Sequence, residues 1–248
     1  MKILICGKGG CGKSTVTALL AHAFVKMGKK AIVIDMDESN YGLYRQLGLE
    51  LPEDFTQYFG FKKGIFRVQD NLQEGEKIFP QRWDFAGLPD QYVSTDGKVK
   101  LMAVGKIHHA GEGCACPMGS LAKELLDNLQ PQDDEVVLVD AEAGVEHFGR
   151  GVDAKADRIL MVMDPSYESI SLAGKIHAMC EDIHKPFAVI LNKIQEGQQD
   201  IILQTVAKDH EIAGILPQDE QILLKGLLGE KLDRELEEIE EIVNYLEK

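Results

Sequence analysis

Several features are scarce or missing in this sequence, and each absence narrows the class of protein. No run of about 18 or more apolar residues occurs, so no membrane-spanning segment is predicted. Basic residues are few: 27 Lys and Arg stand against 41 Asp and Glu, a net charge of −14. Nucleic acid and anionic lipid both require clustered Lys and Arg, so neither is an expected partner. A glycine-rich loop starts at Gly7, which leaves no space for a cleaved signal peptide, and we expect a cytoplasmic protein.

Cysteine is also sparse, with five residues in 248. A disulfide framework is not expected in a reducing compartment. Cys6 lies in an apolar run and Cys180 ends a helical pattern, so both are predicted to be core thiols. Cys11 lies in the glycine-rich loop, where a helix N-terminus and Lys13 could lower its pKa; we interpret it as a tolerated variable position, with oxidation sensitivity as the alternative. The remaining two cysteines form a motif of their own.

Apolar segments alternate with helical patterns along the chain. The predicted strands are Lys2–Cys6, Ala31–Asp35, Val99–Val104, Val136–Asp140, Ile159–Met163, Ala188–Asn192 and Ile212–Leu216. The predicted helices between them are Thr15–Lys26, Ser120–Leu129, Ser169–Glu181, Ile201–Lys208 and Asp219–Leu228. Continuously apolar strands are typical of a parallel sheet covered on both faces. The sequence therefore predicts an α/β fold: a doubly wound, mostly parallel sheet of seven to eight strands in a single domain over residues 1–248.

Two stretches depart from this alternation. Residues 51–113 contain most of the aromatic residues, and Asp96-Gly97 predicts a hairpin turn within them. We predict an irregular insertion there that packs on the sheet edge or at a subunit interface, with a satellite of the core as the alternative. The last segment, Glu230–Leu246, has apolar residues at helical spacing and glutamates on its other face. A membrane-binding helix would need Lys or Arg there, so we expect this helix to dock on its own domain.

The loop after the first strand has the G-x-x-x-x-G-K-[ST] pattern of a phosphate-binding loop. Its glycines let successive backbone N–H groups curl around a triphosphate. Lys13 would reach the β- and γ-phosphates, and the Ser14 hydroxyl would bind Mg²⁺. The loop residues predicted to contact ATP or ADP are Gly7, Lys8, Gly9, Gly10, Cys11, Gly12, Lys13, Ser14 and Thr15.

Carboxylates follow two of the predicted strands. Asp35-Met36-Asp37 places both carboxylates at the carboxyl edge of the sheet, beside the phosphate loop. Asp35 is predicted to be a structural cap at the strand end. The apolar strand Val136–Asp140 ends in aspartate, the Walker B form, and Asp140 would hold Mg²⁺ through water.

Cys114 and Cys116 form a C-x-C motif between Gly and Pro, on a loop expected to be rigid and exposed before a helix. In an extended backbone this spacing lets both sulfurs face one ion. Two thiolates cannot close a tetrahedral site, but a symmetric dimer would supply four, suited to Ni²⁺ or Zn²⁺. A redox pair and two incidental thiols are the alternatives. His108 and His109 lie close by and could assist, although such residues are more often solvated.

The loop sequence KGGCGKS is the deviant form that resembles the MinD/ParA/nitrogenase-iron-protein group of P-loop ATPases. The resemblance implies that Lys8 crosses the interface of a homodimer and contacts phosphates bound by the partner subunit. It also implies a catalytic set of Lys8, Lys13 and Asp37, in which Asp37 positions or activates the attacking water. In the D-x-x-x-G pattern that begins at Asp140, the resemblance implies that the Gly144 amide senses the γ-phosphate.

The same resemblance extends to the residues that would bind the adenine base of the nucleotide. Asn192 ends the sixth predicted strand, and its amide offers a donor and an acceptor that match the adenine edge; a simple strand-end cap is the alternative. Family members use this position for adenine, Lys193 would lie along the base or ribose, and Pro217 would line the adenine.

With C-x-C, A-G-V-E-H over residues 143–147 and Asp164-Pro165-Ser166, the chain resembles CooC-type ATPases. The resemblance implies nickel insertion into carbon monoxide dehydrogenase, or a related client such as acetyl-CoA synthase. Glu38-Ser39 departs from this group, in which proline often follows the second aspartate. Two alternatives remain: a MinD/ParA-type positioning ATPase, which would need basic surface, and an iron–sulfur electron-transfer ATPase, whose cysteines come from separate segments.

Overall fold

The computed structural model describes residues 1–60, 64–65, 71, 77–78, 81–106, 116–141, 144–145, 148 and 150–248. Within these ranges the strands are β1 (Lys2–Gly7), β2 (Lys30–Asp35), β3 (Ser94–Thr95), β4 (Val99–Ala103), β5 (Glu135–Asp140), β6 (Arg158–Met163), β7 (Phe187–Ile194) and β8 (Ile212–Pro217). They form one sheet in the order β3-β4-β2-β5-β1-β6-β7-β8. Every neighbouring pair is parallel except β3 and β4. The predicted doubly wound, mostly parallel sheet is confirmed.

The helices of the described residues are α1 (Lys13–Lys26), α2 (Leu43–Leu47), α3 (Cys116–Asn128), α4 (Tyr167–Asp182), α5 (Gln199–Val206), α6 (Glu220–Leu228) and α7 (Glu237–Leu246). They cover both faces of the sheet. Along β1, Ile3 and Ile5 pack with α1, α2 and α7, whereas Leu4 and Cys6 pack with α3, α4 and α5. Alternate side chains of a strand point to opposite faces, so a strand covered twice must be apolar throughout.

Two predicted helix boundaries are wrong. The helix predicted from Ser120 begins at Cys116, because a proline in the first turn, here Pro117, costs no intrahelical hydrogen bond. The C-terminal helix begins at Glu237 instead of Glu230. The segment before it bonds elsewhere: the Leu232 N–H donates to the Gln46 carbonyl at 2.8 Å.

The aromatic-rich stretch contributes to the main core where the structure describes it. Phe55 is fully buried, with ring centroids 5.8 Å from Trp83 and 5.7 Å from Tyr92. These rings belong to the cluster that covers the α3 face of the sheet. The predicted hairpin is present, since β3 and β4 are antiparallel around Asp96-Gly97. Among the described residues, no helix combines the length and apolar character needed to cross a bilayer.

Candidate functional site

The loop between β1 and α1 curls tightly because three of its glycines have positive φ. Gly7, Gly10 and Gly12 have φ of 143°, 80° and 101°. A Cβ on Gly7 would overlap the Val162 carbonyl oxygen of β6, and one on Gly12 would overlap the Asn192 amide nitrogen. Both positions therefore require glycine, for the backbone angle and for the space.

This loop leads directly into the N-terminus of α1. The N-cap residue, Gly12, has no side chain that could bond the first N–H groups of the helix. The Lys13 ammonium group lies 3.3 Å from the Lys8 carbonyl oxygen. Free N–H groups at a helix N-terminus together with a lysine form a binding site for phosphate.

A cation site adjoins the loop at the ends of β2 and β5. The Ser14 hydroxyl donates to Asp140 Oδ2 at 2.5 Å and accepts from the Asn40 amide at 2.6 Å. The other Asp140 oxygen, Oδ1, is buried without a hydrogen-bond partner. Burial, and then the neighbouring Asp35, raise the pKa of Asp140 to about 7. A buried acceptor without a donor, beside a serine hydroxyl, fits Mg²⁺.

The two predicted aspartates lie at the end of β2: Asp35 is the last residue of the strand, and Asp37 lies in the loop after it. Asp35 Oδ1 accepts from the Asp37 N–H at 3.1 Å, the geometry of the predicted strand-end cap. The Asp37 carboxylate accepts from the Ser39 N–H and hydroxyl at 3.0 and 2.7 Å. Burial raises the pKa of Asp35 to about 6, against the opposing effect of the Lys106 ammonium group.

Two more predicted residues lie next to the loop. The Gly144 N–H donates to the Gly7 carbonyl at 3.3 Å. The Lys8 ammonium group contacts its own chain, at 3.2 Å from the Ser166 hydroxyl, 3.7 Å from Glu168 and 3.9 Å from Asp164. In the single chain this lysine therefore faces the segment after β6.

Asn192 and Lys193 hold the loop from the other side. The Asn192 amide donates to the Cys11 carbonyl at 2.8 Å, and the Lys193 ammonium group donates to the Gly10 carbonyl at 2.7 Å. Lys193 has φ of 60°, in the left-handed region. The end of β7 therefore supports the loop directly.

A cavity of about 760 Å³ opens beside these groups. Its polar lining includes Lys13, Ser14, Asp37, Asn40, Asn192 and Lys193, and its apolar lining includes Leu216, Pro217, Ile222, Leu223 and Leu227. Leu223 and Leu227 of α6 are 63% and 82% exposed. A cavity of this size, with apolar walls beside charged groups, is suited to a nucleotide.

Burial, not the helix N-terminus or Lys13, has the largest effect on the pKa of Cys11. The thiol is buried, and burial raises its pKa to about 11 although Lys13 opposes the shift. The loop directs its backbone outward and this side chain into the core.

The C-x-C motif falls largely outside the described residues. Cys114, His108 and His109 lie outside them, and Cys116 is described only as the first residue of α3. Cys116 thus belongs to a helix, not to the loop predicted before it. Among the described residues, no group of three or more His, Cys, Asp or Glu is arranged to hold a metal ion. The thiolate site stays a prediction.

Sequence reasoning missed Asn40, which lies in the loop after β2 and contacts Ser14, and Lys106, which contacts that loop. Asn40 follows the D-x-D pattern by three residues, so proximity to that pattern is the signal that could have found it. Lys106 carries no local signal, because its partners are about 70 residues away in sequence.

Known sequences match this chain over most or all of its length. The model of the CobQ/CobB/MinD/ParA nucleotide-binding domain family matches residues 2–230. An uncharacterised ATP-binding protein of Methanocaldococcus jannaschii is 46% identical over 250 residues, covering 100% of both chains. The carbon monoxide dehydrogenase accessory protein CooC of Rhodospirillum rubrum is 32% identical, covering 90% of this chain and 85% of CooC.

Solved structures share the fold. The septum site-determining protein MinD of Pyrococcus horikoshii, complexed with Mg-ADP, superposes with a TM-score of 0.70 at 17% identity. The match covers 100% of this chain and 96% of that structure.

Proposed function

This chain belongs to the CobQ/CobB/MinD/ParA nucleotide-binding family and is a P-loop ATPase, and from that premise we propose that it is a metallocentre maturation factor. ATP would draw two chains into a homodimer, and the dimer would bind nickel through the C-x-C motif. ATP hydrolysis would then release the metal to a client enzyme, carbon monoxide dehydrogenase or a related nickel enzyme.

The residues of the phosphate loop would hold ATP. The free N–H groups of α1 and the Lys13 ammonium group would bind the β- and γ-phosphates. Ser14 and Asp140 would hold Mg²⁺, which when bound neutralises phosphate charge. The fit of these two residues to Mg²⁺ rests on Asp140 Oδ1, which is buried beside the Ser14 hydroxyl and has no hydrogen-bond partner. Asn192, Lys193 and Pro217 would bind the base and ribose, because all three line the same cavity.

Asp37 would orient the attacking water. Its carboxylate lines the cavity and is fixed by Ser39 at 2.7 Å. Gly144, bonded to Gly7, would report the presence of the γ-phosphate to the segment after β5. A glycine amide at this point can exchange a backbone partner for a phosphate oxygen, and such exchanges are how nucleotide switches move.

Lys8 would complete the site of the partner subunit. In the single chain its ammonium group is held near Asp164, Ser166 and Glu168, and about a third of its side chain is exposed. Exchanging these contacts for a partner's phosphates would couple dimer formation to ATP binding.

The observation that carries the nickel role is the 32% identity to CooC across 90% of this chain, in a sequence that also has C-x-C. Cys116 opens α3, which follows β4 at the same sheet edge as the nucleotide loop. Thiolates at this edge of the sheet would therefore be placed to move when ATP binds or is hydrolysed. Zn²⁺ is a competing metal, because thiolates accept both ions.

Activation of a nickel-free carbon monoxide dehydrogenase tests this function. The chain, loaded with Ni²⁺, should raise the activity of the apoenzyme when ATP is present and not when ATP is omitted. The double variant Cys114→Ser/Cys116→Ser should hydrolyse ATP but fail to activate.

Cys180→Ala is the matched control, because Cys180 is a thiol of this chain buried in the core. It should activate like the parent. Activation by the double variant at the parental level would contradict the nickel role and leave the ATPase activity standing.

A further inference from the structure

Lys106 is a charged side chain in the protein interior. It follows β4, its side chain is fully buried, and its own N–H donates to Asp54 Oδ2 at 3.2 Å. A buried ammonium group is costly unless every N–H has an acceptor. The acceptors around the Lys106 ammonium group therefore indicate what this buried charge does in the fold.

The ammonium group of Lys106 has three acceptors, which matches its three N–H groups. Asp35 Oδ2 lies at 2.6 Å, the Asp37 carbonyl oxygen at 2.5 Å and the Asn40 carbonyl oxygen at 2.6 Å. One acceptor is the strand-end carboxylate; the other two are backbone oxygens at either end of the loop over residues 37–40. Lys106 thus fixes where this loop lies.

The loop held in this way reaches the nucleotide site at two points. The Asn40 amide donates to the Ser14 hydroxyl at 2.6 Å, and the Asp37 side chain lines the nucleotide cavity. Ser14 in turn contacts Asp140. A displacement of the loop would therefore move both the proposed water-orienting carboxylate and a partner of the proposed magnesium ligand.

We propose that Lys106 is a positioning residue for ATP hydrolysis, acting through the backbone carbonyls of Asp37 and Asn40. The inference rests on the ATPase activity and on no metal-delivery role. Lys106 does not touch the nucleotide cavity; its effect passes through the loop. Loss of it should therefore reduce kcat more than it raises the KM for ATP, because the phosphate loop itself keeps its contacts.

A purely structural role would be neutralisation of Asp35, and paired variants separate the two roles. Asp35→Asn keeps the Oδ1 acceptor for the Asp37 N–H and removes the buried negative charge. The double variant Asp35→Asn/Lys106→Met then lacks both charges, so no unpaired charge remains in the core. Both variants are compared by melting temperature, kcat and the KM for ATP.

If Lys106 positions the loop, the double variant has at least about tenfold lower kcat than Asp35→Asn, since small displacements at a reacting centre are costly. It should also need more Mg²⁺ for half-maximal rate, and the Asn40 N–H should exchange faster with solvent. Equal kcat in the two variants would overturn the proposal and leave charge neutralisation as the role of Lys106.

Lys100→Met is the matched control. Lys100 is a nearly buried lysine of β4 that lies over the Phe85 ring at 5.0 Å, away from the loop. Its kcat and Mg²⁺ dependence should equal those of the parent. A loss equal to that of the double variant would show that removing any buried lysine in or after β4 has the effect, and would overturn the proposal.

Discussion

In the part of the chain that the structure describes, three buried aspartates have pKa values raised above that of a free aspartate. They differ in the groups that surround the carboxylate. Asp35 has a buried lysine, and Asp140 has a serine hydroxyl and an open coordination position. Asp153, beside α3, has Oδ1 buried without a hydrogen-bond partner and is 2% exposed. Burial raises the pKa of Asp153 to about 6. The first two lie at the proposed nucleotide site, whereas Asp153 has no place in that site.

Asp153 gives a prediction about pH. Its folded pKa of about 6 exceeds the unfolded value near 4, so the unfolded chain loses this proton first as pH rises. The destabilisation is absent below the unfolded pKa and fully present above pH 6. Asp153→Asn should therefore be more stable than the parent at pH 7.5, by roughly 1–2 kcal/mol, and lose that advantage at pH 4. Urea unfolding at the two pH values measures it.

The exposed Asp133→Asn is the control for Asp153 and should follow the parent at both pH values. A pH-independent difference between Asp153→Asn and the parent would mean that the buried carboxyl titrates as it does in the unfolded chain.

Residue roles near the phosphate loop were predictable to different degrees. Gly7 and Gly12 follow from the loop pattern, because the positive φ of the curled loop is one that glycine adopts readily. Lys106 was not predictable, because its partners are brought together only by the pairing of β2 with β4. The burial of the Cys11 thiol was not predictable, since the sequence does not show that this side chain of the loop points into the core.

At the scale of elements, strands were predicted more closely than helix ends. A parallel strand covered on both faces is a continuous apolar run, and its limits are visible as changes of composition. The two-residue β3 was predicted only through its hairpin turn, and the five-residue α2 was missed, because segments this short have no period to detect. The start of α7 was wrong because a tertiary hydrogen bond, from Leu232 to Gln46, competes with the helix.

The docking of α7 gives a prediction at this scale. Ile242 is fully buried, and a Cβ on Gly214 of β8 would overlap its side chain. Truncation would leave a cavity against the strand, so Ile242→Ala should lower the free energy of unfolding by about 2–4 kcal/mol. Mg-ADP affinity should not change, because Ile242 does not line the nucleotide cavity. Denaturant unfolding and nucleotide titration measure the two quantities.

Glu241→Ala is the control for Ile242 because Glu241 is the exposed neighbour on the same helix. It should stay within about 0.5 kcal/mol of the parent. A loss below 1 kcal/mol for Ile242→Ala would mean that α7 contributes little to the folded chain.

At the scale of the whole molecule, the alternation of strands and helices was sufficient to predict the sheet, because parallel neighbours require crossover helices. The acidic balance of −14 still argues against a DNA- or lipid-binding role, although MinD and ParA proteins share the fold. The subunit arrangement could not be predicted from packing patterns. Lys8 points to a dimer through a resemblance, and the C-x-C motif points to one through its count of thiolates. In the single chain, the Lys8 contacts include its own Asp164 and Ser166.

The central claim is that two chains joined by ATP share one nickel ion, and counting nickel per chain tests it most directly. Ni²⁺ binding is measured by anaerobic equilibrium dialysis with and without a non-hydrolysable ATP analogue, and molecular mass by sedimentation. The account predicts one tightly bound Ni²⁺ per two chains, in a dimer, with binding that weakens as pH falls because thiols must release protons. Cys114→Ser/Cys116→Ser should lose the metal and keep nucleotide binding. One tightly bound Ni²⁺ per chain, or unchanged affinity in that double variant, would contradict the shared thiolate site.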